Sequence, residues 1–102
     1  MVKVSVMYPN SEGATFDMEY YCNSHMALVR KLLGDVLKGI AVDQGISQEG
    51  SNAPFLTIGH LMFDSLEEAR TALNTHAPTL LADIPKYTNT KPTIQVSEIK
   101  IE

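Results

Sequence analysis

Apolar and other residues alternate from Val2 to Tyr8. Val2, Val4 and Val6 fall on one face and Lys3, Ser5 and Met7 on the other, the period of a half-buried strand. Pro9-Asn10 and the polar run through Gly13 end it. The period then changes. Met18, Tyr21, Cys22, His25, Val29, Leu32 and Leu33 recur at helical spacing and predict one helix with one inner face. Asp17 stands at its N-cap, with Phe16 and Tyr21 placed as a hydrophobic staple. Arg30 and Lys31 suit the negative end of the helix dipole, and Gly34 is a C-terminal stop. Leu37 to Gln44 reads as a second strand, closed by Gly45. After the polar loop 46–54, a third strand runs from Phe55 to Phe63. Ser65 and Glu68 form a capping box for a second helix, whose inner face is Leu66, Ala69, Leu73, His76 and Ala77. Pro78 is expected to break that helix, leaving one short turn in the stretch TLLADIP. KYTNTKP is a loop, and the last strand spans Thr93 to Ile101.

The order is strand, helix, strand, strand, helix, strand. Right-handed crossovers convert it into an α+β fold, a ferredoxin-like sandwich whose antiparallel sheet carries both helices on one face. The third strand adds a constraint. Phe55, Thr57, Gly59, Leu61 and Phe63 point one way, and Leu56, Ile58, His60 and Met62 the other. Both sets are mainly apolar, yet helices on one side cover only one of them, and a single-layer antiparallel sheet normally leaves its other side polar. A second copy packed sheet to sheet resolves this, so a homodimer is expected. In the last strand, Ile94 and Val96 share one parity, while Ile99 and Ile101 share the other. This slip points to a bulge or a change of surroundings at the end of the chain.

Composition narrows the classes. The chain has 102 residues, 44% hydrophobic and 20% charged, which suits one globular domain over residues 1–102. Its net charge of −4, without a basic cluster, argues against nucleic acid as a partner. No apolar run approaches the ~20 residues that span a bilayer, and MVKVSVMYPN does not read as a signal peptide. One cysteine excludes an internal disulfide and suits a reducing cytoplasm. So small a chain leaves little room for both a core and a site, unless a second copy completes the core.

There is no Gly-rich phosphate loop, CxxC, HExxH or nucleophile elbow. The remaining candidates are histidines, tyrosines and one acid. His25 lies on the inner helix face one turn after Tyr21. It is either a hydrogen-bonded core histidine or an acid/base in a pocket between helix and sheet. His76, at the expected end of the second helix, is either a cation on the helix C-terminus or a pocket group. His60 faces the pocket or the interface, according to register. Tyr20, Tyr21 and Tyr87 offer phenolic donors. Asp83 either caps a loop or orients a histidine. Cys22 reads as a small core residue. No two histidines share i,i+4 spacing, and no dense ligand cluster marks a metal.

Together, MVKVSVMYPN, FDMEYYCNSHMALV, IGHLMFDS and HAPTLLADIPKYTNTKPTIQVSEI resemble the EthD family, known from bacterial ethyl tert-butyl ether degradation. The resemblance covers nearly the whole chain. It implies a dimeric α+β barrel, two ferredoxin-like subunits joined sheet to sheet. It also implies a small protein of oxidative catabolism or secondary metabolism. One reading is a cofactor-independent enzyme of oxidoreductase, lyase or cyclase type, acting on a small apolar oxygenated or aromatic substrate. The other is an accessory protein that holds a hydrophobic intermediate for a partner oxygenase. Haem bound through a pocket histidine is a third. The family-like histidine is His25, joined by Tyr21, with His76, Asp83 and Tyr87 on the family-like tail. Ala27 departs from the proline many relatives carry after HM.

Overall fold

A computed structural model describes residues Met1–Glu102. Its sheet has four antiparallel strands: β1 (Val2–Pro9), β2 (Gly39–Gln44), β3 (Phe55–Phe63) and β4 (Thr93–Glu98), in the order β2-β3-β1-β4. Both helical segments lie on one face. This is the ferredoxin-like arrangement expected from the element order.

Register divides the sheet cleanly. Val4 pairs with Leu61 and Val96, and Val6 with Gly59 and Ile94, so these side chains share the helix-facing side. Ile40 and Val42 join them from β2. The core lies between this face and the helices and includes Val2, Val4, Leu61, Phe63, Tyr21, Met26, Val29, Leu33, Ala69 and Ala72. The opposite face carries Lys3, Ser5 and Met7 beside Leu56, Ile58, His60 and Met62. The two-sided reading of the third strand therefore holds.

The first helical run departs from its expected regularity. It comprises α1 (Met18–Tyr20), a π-helical turn (Tyr21–His25) and α2 (Met26–Leu33). Asp17 caps it, accepting the Tyr20 backbone N–H at 3.0 Å, and Phe16 meets Tyr21 edge to face with centroids 5.0 Å apart. The extra residue in the π turn rotates the following positions around the axis. Met26 is consequently buried in a place the regular spacing did not mark, and Cys22, expected in the core, is exposed. Gly34 ends the run with φ +57°, a conformation side-chain-bearing residues rarely adopt.

The second helix, α3 (Leu66–Asp83), passes through Pro78 without breaking. Proline removes one amide donor and leaves the carbonyl four residues earlier without its usual partner. Pro78 and Asn74 are both exposed, so water can satisfy that carbonyl. The capping box forms as expected: Ser65 Oγ accepts from Glu68 N at 3.1 Å and donates to Glu68 Oε1 at 3.2 Å. Leu66, however, points outward, and Ala72 takes the expected inner place. β4 ends at Glu98, so the change of parity falls beyond the strand; Ile99 N still donates to the Met1 carbonyl at 2.9 Å.

Candidate functional site

The π turn has a chemical consequence. It stacks the rings of Tyr21 and His25, with centroids 5.2 Å apart and planes inclined by 12°. It also directs His25 toward the C-terminal end of α3. There the buried Asp83 Oδ2 accepts from His25 Nδ1–H at 2.8 Å. The Tyr20 hydroxyl donates to the other oxygen, Oδ1, at 2.9 Å. Lys86 Nζ lies 3.7 Å from that same oxygen.

An ionised carboxylate only accepts, so Nδ1 carries a proton in this contact; in the neutral imidazole Nε2 is then the nitrogen with the lone pair, and in the imidazolium both nitrogens carry protons. Burial pushes the Asp83 carboxyl upward. The hydrogen bonds from His25 and Tyr20 and the charges of His25 and Lys86 outweigh it, and the net shift is below the ordinary carboxylate range. By linkage, a carboxyl lowered in the folded state contributes stability above its unfolded value of about 3.9, and that contribution fades as pH falls through the folded value. Asp83→Asn is therefore expected to flatten the acid limb of the stability–pH curve below about pH 4. Urea unfolding between pH 2.5 and 7 measures this; an unchanged limb would show that Asp83 is not held ionised by these partners.

His25 forms part of the wall of a cavity between α3 and the sheet. The space open to the centre of a water molecule is ≈ 80 Å³. Aliphatic side chains make up much of its lining, among them Val4, Val6, Val29, Leu61, Leu73 and Leu80. Tyr8, Tyr21 and Tyr87 join His25 in the remaining wall. Tyr8 Oη and Tyr87 Oη are hydrogen-bonded at 2.6 Å, and burial, first of the causes at each, raises the pKa of Tyr8, Tyr21 and Tyr87. All three are neutral phenols at pH 7. Gly59 supplies the floor beneath Tyr21: a Cβ there would collide with the Tyr21 hydroxyl. Leu81 and Ile94, each 53% exposed, also line the cavity.

The structure therefore brings together His25, Tyr21, Asp83 and Tyr87, four of the five residues singled out in the sequence. His76 stands apart, inside α3 rather than at its end, in an open groove with Leu33, Val36 and Glu67. His60 lies on the far face of the sheet. Its Nε2–H donates to Asp43 Oδ2 at 2.7 Å, and Ser5 Oγ donates to its Nδ1 at 3.3 Å.

Sequence reasoning missed Tyr8 as a site residue and gave Tyr20 no specific role. Tyr8 extends the inner face of β1 by one alternation beyond Val6, so strand parity was a usable signal. Tyr20 had none, because its partner lies 63 positions away. No three His, Cys, Asp or Glu side chains are grouped so as to hold a metal ion.

No protein-family model matches the chain, and no curated protein matches it. Among solved structures it is similar to an EthD-like protein from Ralstonia eutropha JMP134. The two are 37% identical with TM-score 0.92, over 99% of this chain and 93% of that one. An EthD family protein from Bacillus halodurans C-125 has the same fold at 23% identity and TM-score 0.75, over 97% and 98% of the two chains. So does a dimeric ferredoxin-like protein from an uncultured marine organism, at 16% identity and TM-score 0.59, over 99% and 95%.

Proposed function

This chain belongs to the EthD family, and from that premise we propose that it is a small enzyme of oxidative catabolism or secondary metabolism. It acts on a small apolar molecule, oxygenated or aromatic, bound between α3 and the sheet. One observation carries the reading: the Asp83-oriented imidazole of His25 in the wall of an otherwise apolar cavity. A histidine that only fills a core needs no carboxylate held from both sides. Here Asp83 is gripped by His25 on one oxygen and by Tyr20 on the other, the arrangement of an oriented acid/base.

His25 Nε2 takes and returns the substrate proton, and Asp83 holds the imidazole and steadies the imidazolium when it forms. Tyr21 and Tyr87 polarise a carbonyl or phenol oxygen. Proton transfer of this kind needs no metal or nucleotide. His76, in its own groove, has no part in it.

The test is a titration with 2-naphthol, a small aromatic phenol, followed by the chemical shifts of cavity residues. Saturable shifts concentrated at Tyr8, Tyr21, His25, Leu61 and Leu73 are expected. Shifts scattered over the surface would sink the cavity as the binding site. Binding without turnover of any ketone or phenol would instead favour an accessory protein that only holds an intermediate.

We further infer that a second copy covers the outer sheet face. Met7, Leu56, Ile58 and Met62 present an apolar layer there, half-buried by their neighbours, with the Ser5–His60–Asp43 hydrogen bonds at its centre. This pairing makes the dimeric α+β barrel and gives the combined assembly one shared core. The subunit's helix-covered side is then free to house the cavity. Light scattering at micromolar concentration is expected to give twice the 11.2 kDa of one chain, and Ile58→Asp to give monomers. A wild-type mass of one chain would overturn the pairing.

We place the protein in a reducing cytoplasm, where its one exposed thiol stays free. No helix is long and apolar enough to cross a membrane.

A further inference from the structure

Hydrogen-bond arithmetic in the cavity wall identifies what the ligand must offer. The hydroxyls of Tyr8, Tyr21 and Tyr87 carry three protons. Each hydrogen bond between two hydroxyls uses one proton, so a chain of such groups always has one proton more than it has links. The Tyr8–Tyr87 bond, at 2.6 Å, is one such link. Tyr21 lies beside it, its ring 5.6 Å from that of Tyr8 and 5.0 Å from that of Tyr87. Tyr21 Oη makes no hydrogen bond within the chain, and the Tyr8–Tyr87 pair keeps one proton beyond its single link, so the cavity wall offers at least one phenolic O–H without an acceptor. These side chains are largely buried, yet the one enclosed side-chain polar atom without a partner is Thr57 Oγ1, so the unengaged phenolic O–H stays accessible from the cavity, where an acceptor on a ligand can meet it.

The complementary deficit stands beside it. His25 Nδ1–H is committed to Asp83, and Nε2 makes no hydrogen bond within the chain. The His25 and Tyr87 rings are 4.8 Å apart, centre to centre. The wall thus holds one spare donor and one spare acceptor close together, facing aliphatic side chains. A hydrocarbon satisfies neither. A carboxylate would satisfy the donor, but its charge would be buried without a cation; Lys86 lies outside the cavity wall and is already turned to Asp83.

We propose that the site takes a neutral, enolisable carbonyl compound, a ketone or lactone on an apolar frame, and shifts a proton along it. The inference rests on the reading of this cavity as a substrate site. The carbonyl oxygen accepts from the Tyr8–Tyr87 pair, and the adjacent C–H faces His25 Nε2. In the forward step the α-C–H bond breaks and its proton goes to Nε2. The bonding electrons form a carbon–carbon double bond, and the carbonyl electrons settle on oxygen as an enolate. The phenolic O–H, already aimed at that oxygen, bonds more strongly to the enolate than to the ketone, which lowers the barrier. The second tyrosine donates within the pair and so steadies the first as charge develops. The imidazolium then returns its proton, to the same carbon in a simple ketone or to the γ-carbon where the substrate carries a β,γ double bond, and in the latter case yields the conjugated isomer. No electrons enter or leave, and no oxidant is consumed. Tyr8 acquires a catalytic role here.

The experiment uses 1-indanone as the probe. Exchange of its α-protons in D2O is followed by proton NMR with wild-type protein, Tyr8→Phe, Tyr87→Phe and His25→Gln. Wild type is expected to accelerate exchange at least about 100-fold over buffer, within the usual range for a positioned general base. Each tyrosine variant is expected to lose about 10-fold or more of that acceleration, as when one donor to a developing oxyanion is removed. His25→Gln is expected to fall to the buffer rate. A second measurement needs no variant: bound [carbonyl-13C]1-indanone should resonate downfield of its position in cyclohexane, reporting a hydrogen-bonded carbonyl.

Exchange unaffected in Tyr8→Phe and Tyr87→Phe overturns the assignment. So does an unshifted carbonyl resonance, or a saturated protein that exchanges no faster than buffer; in that last case the apolar binding site stands and only the enolisation falls. Failure of both 1-indanone and 2-naphthol to bind removes the cavity reading itself.

Discussion

Replacing His25 with Gln is expected to slow proton transfer on a bound ketone or phenol by about 10² to 10⁴-fold, the usual contribution of a positioned general base, and to leave the protein folded. Two features of the site set this result. His25 Nε2 is the unengaged imidazole nitrogen, and the Asp83 bond through Nδ1 determines which nitrogen carries the proton. A glutamine amide can still donate to Asp83, so the carboxylate keeps a partner and α3 keeps its anchor. Glutamine cannot accept a proton near neutral pH. Single-turnover rates should therefore collapse, while the unfolding midpoint and scattering mass stay near wild type. Survival of the rate within about tenfold of wild type would show that another group is the base, because less than one decade lies below the usual contribution.

The largest stability loss is expected from Phe63→Ala. Phe63 is 0% exposed and belongs to the same cluster as Val2, Val4, Val29 and Leu33. It stands at the end of β3, on the helix-facing side, where it pairs with Val2 of β1. Removing a fully buried aromatic ring loses its transfer free energy and leaves a cavity, together about 3–5 kcal/mol. With a denaturant slope of roughly 2 kcal/mol per M for a domain of this size, the urea midpoint should fall by about 2 M. Ile101→Ala, by contrast, removes a side chain that is 92% exposed and should stay within about 0.5 kcal/mol of wild type. Equal losses at the two positions would contradict the placement of the core.

Most of the fold was legible because its signals are short in range. Alternation in Val2–Tyr8 and Phe55–Phe63 depends only on neighbouring residues, and so do the Asp17 cap and the Ser65–Glu68 box. The failures come from energies that local patterns do not contain. Pro78 was expected to break α3, since its cost is intrinsic to proline. It does not, because its position on the exposed side leaves the orphaned carbonyl to solvent. Cys22 was expected inward from 3.6-residue spacing. The π turn moves it out, and a single inserted residue leaves no mark in the hydrophobic period. His76 was expected at a helix end only because the helix was expected to stop early.

The candidate site shows the same division. Residue types, helical spacing and the family resemblance pointed to His25, Tyr21, Asp83 and Tyr87 as chemical groups. They did not supply their relations.

By itself, then, the sequence determined the order of elements, the two faces of the third strand and the chemical groups available, because each follows from periodicity or residue type. Only the tertiary structure decided that His25 meets Asp83 across 58 positions, and that Tyr8 meets Tyr87 across 79. It also decided that His60 turns away from the cavity to Asp43 and Ser5. Such contacts are set by how α3 closes over the sheet and by the register of β3 against its neighbours. They are cooperative outcomes of packing, in which no residue's immediate neighbours name its partner.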